Sequence, residues 1–129
     1  MQLNFLQPWA PHILSILRIL AAATFLTHGT MKLFGWPAPF PYPLNGLLYT
    51  AAILEVVGGL LLVIGLFSRP VAFILSGLMA FAYFLGHASG GFFPALNGGE
   101  PALLFCFVFL YIAAAGPGPW SLDAAQGRA

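Results

Sequence analysis

Charge is what this sequence has least of. Only 5% of its 129 residues are Asp, Glu, Lys or Arg, against roughly a quarter in an ordinary soluble domain. A water-facing surface cannot be assembled from so few, which argues against a soluble helical bundle. Four basic residues against three acidic ones give a formal net charge of +1. No basic stripe can form to neutralise phosphates, so nucleic acid is not an expected partner. Cysteine is nearly missing too: Cys106 stands alone, so no disulfide can close within the chain and dithiol exchange lacks its second thiol. Cys106 reads as helix packing. No basic residue precedes the first apolar run and Arg18 interrupts it, so the N-terminal segment reads as a retained helix rather than a secretory signal.

What is present is apolar: 60% hydrophobic residues, 16% aromatic and a mean hydropathy of +0.94, the opposite of a disordered composition. A bilayer is crossed by about 17 to 25 apolar residues in a helix. Four runs near that length lie between Gly, Pro and polar punctuation, at about His12 to Phe34, Leu44 to Phe67, Val71 to Gly86 and Pro101 to Ala115. The expected fold is all-α, an integral membrane four-helix bundle running up-down-up-down, with residues 1–129 as one transmembrane domain. The last two runs are short, so a three-span version with one interfacial segment stays open. The main partner is then the lipid bilayer. Ala72, Ser76 and Ala80 make a small-residue stripe on the third helix, and Gly58 with Gly59 a similar patch on the second, for close helix approach.

Basic residues are retained on the cytoplasmic side. With an even number of spans, Arg69 and Arg128 share a side with both termini, which are therefore expected to be cytoplasmic. The loops Gly35 to Pro43 and His87 to Glu100 then face outward, and Trp36, Tyr42 and Trp120 suit the interface belts.

A charge in the middle of a membrane helix costs about 3 kcal/mol on insertion scales and wants a partner or a task. Arg18, Lys32 and Glu55 fall inside spans and Glu100 at the mouth of the fourth, which is four of the seven charged residues. At 100° per residue, Arg18, His28 and Lys32 lie within an arc of about 80°. His28 falls about 9 Å below the outer surface and Glu55, on an antiparallel second helix, about 15 Å. Side chains lean toward their own helix N-terminus, so Lys32 leans inward and Glu55 outward, and Glu55, His28 and Lys32 can meet in the outer half. A carboxyl group in low dielectric favours its neutral form unless a cation holds its charge, which makes Glu55 either a proton exchanger or half of a structural ion pair. Arg18 lies nearer the cytoplasmic side, where a helix-bridging or snorkelling role competes with a ligand contact.

Asn97-Gly98-Gly99-Glu100-Pro101 carries a capping pair three residues apart and an early proline, the pattern of a helix start. Its alternative is an outward-facing binding element in which backbone N–H groups and Glu100 meet a ligand. His28 and His87 both sit toward the outer side, but no metal-type His/Cys spacing accompanies them. Hydrogen-bonded structural histidines, proton transfer and ligand binding are the readings left, with no metal and no haem expected.

Taken in order, these residues resemble the DoxX family of small bacterial and archaeal membrane proteins. The likeness runs through Leu17-Arg18-Ile19, His28-Gly29-Thr30-Met31-Lys32-Leu33-Phe34-Gly35, Glu55-Val56-Val57-Gly58-Gly59-Leu60-Leu61-Leu62 and Gly65-Leu66-Phe67-Ser68-Arg69. It continues with His87 before Gly90, Asn97-Gly98-Gly99-Glu100 and Gly116-Pro117-Gly118. The resemblance implies four transmembrane helices in a bacterial-type inner membrane. For some members it also implies association with quinone-linked oxidation of sulfur compounds or with oxidative-stress defence. Arg18, His28, Lys32, Glu55, Asn97 and Glu100 are the positions of the family pattern present here.

Three functions follow as competing expectations. In the first, a quinone or small phenolic molecule binds between helices in a cleft lined by Phe25, Phe34, Trp36 and Tyr83. His28 or Lys32 then holds a ring oxygen and Glu55 exchanges a proton, with Arg18, Asn97, Glu100 and His87 as further binding residues. No flavin, iron–sulfur or nicotinamide motif is present, so electrons come from a partner oxidoreductase subunit or from the substrate itself. In the second, the chain is a non-enzymatic anchor or assembly subunit whose buried charges set helix pairing. In the third it is a small proton-coupled transporter with Glu55 as the coupling site, which would favour a homo-oligomer.

Overall fold

The computed structural model describes residues 2–129. Among these, every regular element is helical. A 3-10 turn at Asn4–Trp9 leads into α1 (Ala10–Phe34), followed by α2 (Gly46–Ile64), α3 (Ser68–Gly86), the single turn α4 (Pro94–Asn97), α5 (Glu100–Ala115) and the single turn α6 (Leu122–Ala125). The helix including the first turn, α2, and α3 with the turn after it are long and apolar enough to cross a membrane; α5 is apolar but shorter, at 16 residues.

Local chemistry sets most of the boundaries. Pro11 sits in the first turn of α1, where its missing N–H is not needed. Gly35 ends the helix at φ 67, a left-handed conformation that lets its N–H return to the Met31 carbonyl. The apolar run 44–67 is trimmed at both ends: the Asn45 side chain accepts from the Leu48 N–H at 2.9 Å and starts α2 at Gly46, and Gly65 at φ 74 stops it after Ile64. Ser68-Arg69-Pro70, which reads as punctuation, is instead the first turn of α3. Proline is tolerated there because first-turn N–H groups have no partner within the helix.

α1 packs most extensively against α2, and α3 against α5; the α2–α3 and α1–α5 contacts are lighter. Arg18 meets the carbonyl of Leu62, while farther along α1 Gly29 meets Ala52, Glu55 and Val56, so the two helices run in opposite directions. In the second pair, Ser76 Oγ donates to the Cys106 carbonyl at 2.7 Å and Arg69 reaches Ala113 and Ala114. Phe25, Phe105 and Phe109 lock the two pairs together, with ring centroids 5.0 to 5.6 Å apart. Outward faces are left bare of protein: Phe73, Phe81 and Phe107 are all more than half exposed, as membrane helices leave them and soluble ones do not.

The chain's two ends meet. His12 lies between the rings of Trp9 and Trp120, at 5.7 and 5.2 Å. Past α5 the segment folds back under the bundle, where Trp120 N–H donates to Ser15 Oγ at 3.1 Å and Asp123 N–H to the Gly65 carbonyl at 2.9 Å. The buried Asp123 carboxylate accepts from the backbone N–H groups of Phe67 and Ser68 at 2.9 and 2.8 Å, capping α3 from 55 residues away. Burial alone would push the Asp123 carboxyl up, but the hydrogen bonds from Ser68 and Phe67 and the charge of Arg128 outweigh it and hold it below the ordinary carboxylate range.

A carboxyl group depressed in the folded state contributes stability above its unfolded pKa and loses it as pH falls through the folded one. Asp123→Ala is therefore expected to cost about 1 kcal/mol near neutral pH. The gap from the unaltered protein should close as pH drops from about 5 toward 2. Thermal unfolding in detergent across that range checks it, and a gap independent of pH would mean the carboxylate charge is not what caps α3.

Candidate functional site

The one ion pair among the described residues lies between α1 and α2. Lys32 Nζ stands 2.7 Å from Glu55 Oε1 and 2.9 Å from Oε2, a two-pronged contact in which the side chains are 11% and 3% exposed. Glu55 is the tenth of the 19 residues of α2, as far from either end as that helix allows. Glycine makes the approach: a Cβ at Gly29 would lie 2.8 Å from Val56 Cγ2, 2.9 Å from Glu55 Cβ and 3.0 Å from the Ala52 carbonyl. With no side chain there, α1 rests against the backbone of α2 and Lys32, one turn on, reaches the carboxylate.

The third member of the expected cluster stands apart. His28 is exposed on the flank of α1, its ring edge-on to Phe105 at a centroid distance of 6.0 Å, with no hydrogen bond to Glu55. In its place a residue from the first loop completes the surroundings of the pair, for the Lys32 ammonium lies over the ring of Phe40, 5.4 Å from its centroid. Thr30 Oγ1 holds the base of that loop by donating to the Trp36 carbonyl at 2.7 Å. Nothing in the pattern of the spans pointed to Phe40; its surroundings, Pro39-Phe40-Pro41, were the only signal that this loop is stiff.

Arg18 is away from the pair and fully buried. Its guanidinium donates only to backbone carbonyls: Nε to Leu62 at 2.8 Å, Nη2 to Trp120 at 2.6 Å and Nη1 to Pro117. The last carbonyls of α2 have no helical partner, and Arg18 supplies it while tying the C-terminal segment to α1. The arginine bridges three parts of the chain.

At the opposite end, the capping pair expected of Asn97 and Glu100 does not form. Asn97 Oδ1 accepts from Gly99 N–H at 2.8 Å, and its Nδ2 donates to Tyr83 Oη at 3.1 Å and to the Gly91 carbonyl at 3.0 Å. Asparagine closes on its own loop because the intervening glycines let the chain turn before the helix starts. His87 Nδ1 is 3.3 Å from the Asn97 carbonyl, and Glu100 is exposed at the first turn of α5.

The four aromatics expected to line one cleft are dispersed. Phe25 and Phe34 are nine residues apart on α1, about 180° around the helix. Phe25 is therefore in the core, whereas Phe34 and Trp36 are exposed and the Tyr83 hydroxyl is taken by Asn97. Two open grooves occur elsewhere, one of about 380 Å³ against Pro11, Tyr111 and Pro117 and one of about 420 Å³ against Phe93, Glu100 and Leu104. Among the described residues no group of three His, Cys, Asp or Glu side chains is placed to hold a metal ion.

Comparison with known proteins shows the family. The DoxX family model matches residues 13–88, which take in Arg18, His28, Lys32, Glu55 and His87. An uncharacterized protein of Haemophilus influenzae is 42% identical over 132 aligned positions, covering 94% of this chain and 96% of the relative. No solved structure matches. With its apolar helices and this match, the chain is a membrane protein and belongs to the DoxX family.

Proposed function

We propose that this protein binds a quinone or small aromatic molecule at the Lys32–Glu55 pair, as one component of a membrane redox system handling sulfur compounds or oxidative stress. The observation that carries the reading is the pair itself: the Glu55 carboxylate, buried at the midpoint of apolar α2, is held by Lys32 from the last turn of α1, where an apolar pair would serve stability as well. Lys32 holds the ring, Glu55 takes up or releases the accompanying proton, and His28, one turn away on the exposed flank, passes it on. The ring carries electrons between a partner oxidoreductase subunit and the membrane pool. Arg18 and Asn97 serve the fold in this reading, and His87 and Glu100 stand at the outer mouth.

The same proposal includes the topology. The chain crosses a bacterial-type inner membrane four times, up-down-up-down, as a single domain with both termini cytoplasmic. Opposite-running contacts in each helix pair support an even number of spans, as does the meeting of Trp9, His12 and Trp120. Arg69 and Arg128 lie at that same end, where the retention of basic residues favours the cytoplasm. The loops holding Phe40 and Asn97 then face outward.

A second reading, a non-enzymatic anchor subunit, is favoured by one observation: both Glu55 oxygens are already bonded to Lys32 and the Arg18 donors to carbonyls. Native mass spectrometry of the protein purified in mild detergent with its own lipid separates the two. A quinone or other redox-active aromatic is expected to ride with the unaltered chain and to be missing from Glu55→Gln and His28→Ala. Retention of lipid alone, with the variants differing only in stability or partner retention, would give the anchor reading the lead.

A further inference from the structure

We infer that Phe40 occupies the ring position of the Lys32–Glu55 site, and that this position selects electron-rich, hydroxyl-bearing rings, reduced hydroquinones and phenols, over oxidised quinones. The inference rests on the proposed aromatic-binding role of that pair.

The geometry of the pair leads there. Glu55 closes one side of the Lys32 ammonium with both oxygens, and the Phe40 ring covers another at 5.4 Å. A ring of the protein's own already lies beside the pair. The covering ring is lightly held. Pro37, Pro39, Pro41 and Pro43 remove every second N–H around it, and among the described residues 37–44 donate no backbone hydrogen bond. The loop is tied at its base, where Thr30 meets Trp36, and by the ring itself. A stiff loop with one such contact swings as a unit, and the ring leaves without unravelling a ladder.

What replaces it is set by charge. A cation is drawn to the negative face of an aromatic ring, and ring oxygens bearing hydrogen enrich that face whereas quinone carbonyls deplete it. Glu55 adds to the preference, since a carboxylate accepts from a hydroxyl and repels a carbonyl oxygen. The reduced ring therefore meets both partners and the oxidised ring only the ammonium.

The test uses the full chain in lipid nanodiscs, titrated by equilibrium dialysis with tetramethylhydroquinone under reducing conditions and with tetramethylbenzoquinone. The unaltered protein is expected to bind the hydroquinone about tenfold tighter than the quinone. Phe40→Ala, which frees the position, should tighten hydroquinone binding about tenfold further, as expected when a competing closed state is removed. Phe40→Leu, which keeps bulk but loses the ring face, should fall between. Hydroquinone binding that is unchanged or weakened by both substitutions would overturn the assignment of Phe40, and tighter quinone binding would overturn the selectivity, while each leaves the aromatic site standing. If neither probe binds the unaltered chain or either variant, the aromatic-binding role fails and this inference with it.

Discussion

Replacing Arg18 by methionine is expected to be the most damaging single substitution in the chain, costing roughly 3 to 6 kcal/mol, since each buried acceptor left unpaired costs about 1 to 3. Methionine keeps much of the apolar stem, so the loss comes from the guanidinium. It leaves the buried carbonyls of Leu62 and Pro117, and the part-buried one of Trp120, without donors. Against a total stability of about 5 to 15 kcal/mol, that is enough to release the C-terminal segment even where the helices persist. Arg18→Lys should rescue little. A guanidinium sends nitrogens in several fixed directions, whereas an ammonium is one point charge and cannot reach acceptors on α2 and on the returning segment together. Denaturation in detergent, with limited proteolysis of residues 116–129, reads both effects. An Arg18→Lys protein as stable and as protease-resistant as the unaltered one would show that the fork is not in use.

The second large effect is expected at the ion pair, and its sign depends on whether one partner or both are changed. Glu55→Leu strands an ammonium among apolar side chains and should cost about 3 to 5 kcal/mol, as should Lys32→Met, which strands the carboxylate. The double replacement should recover most of that loss, because an apolar pair of similar volume needs no desolvation. It should nevertheless lose any bound aromatic. Stability curves for the four proteins give the coupling, and native mass spectra of the same samples give the ligand. Two single variants no less stable than the double one would mean that the pair is not held as an ion pair. A double variant that still carries the aromatic would remove Lys32 and Glu55 from the site. The combination expected, stability regained without ligand, is what separates a pair kept for chemistry from one kept for helix matching.

Much of this was legible along the chain, for reasons that are local. A helix rises by a constant amount per residue, so the depths of Lys32 and Glu55 follow from where their runs begin and end, and leaning side chains bring the two together. The same arithmetic carried less for His28, which shares an arc with Lys32 yet lies exposed beside Phe105. An arc of 80° is wide enough to hold both a buried and a bare flank, and only the neighbouring helix decides where the division falls. The dispersal of the aromatics is also written in the sequence, since nine residues put Phe25 and Phe34 on opposite sides of one helix. Asp123, five residues from Arg128, has the pattern of solvated surface along the chain, and only its partners at the start of α3 make it a cap.

By itself the sequence determined the environment and the element type. Five per cent charge cannot clothe a soluble surface, and continuous apolar runs of this length can only be helices, because lipid admits only helices and closed barrels and barrel strands alternate apolar with polar residues. The order of its motifs also determined the family. Tertiary structure alone decided what Arg18 holds, what caps α3 and what covers Lys32. Those contacts join residues 44, 99 and 102 positions apart for Arg18 and 55 for Asp123. Their energies depend on distances between side chains and carbonyls that no local propensity encodes. Even Phe40, only eight residues from Lys32, reaches it through the path of a loop rather than through helical spacing, and a loop's path is set by what it packs against.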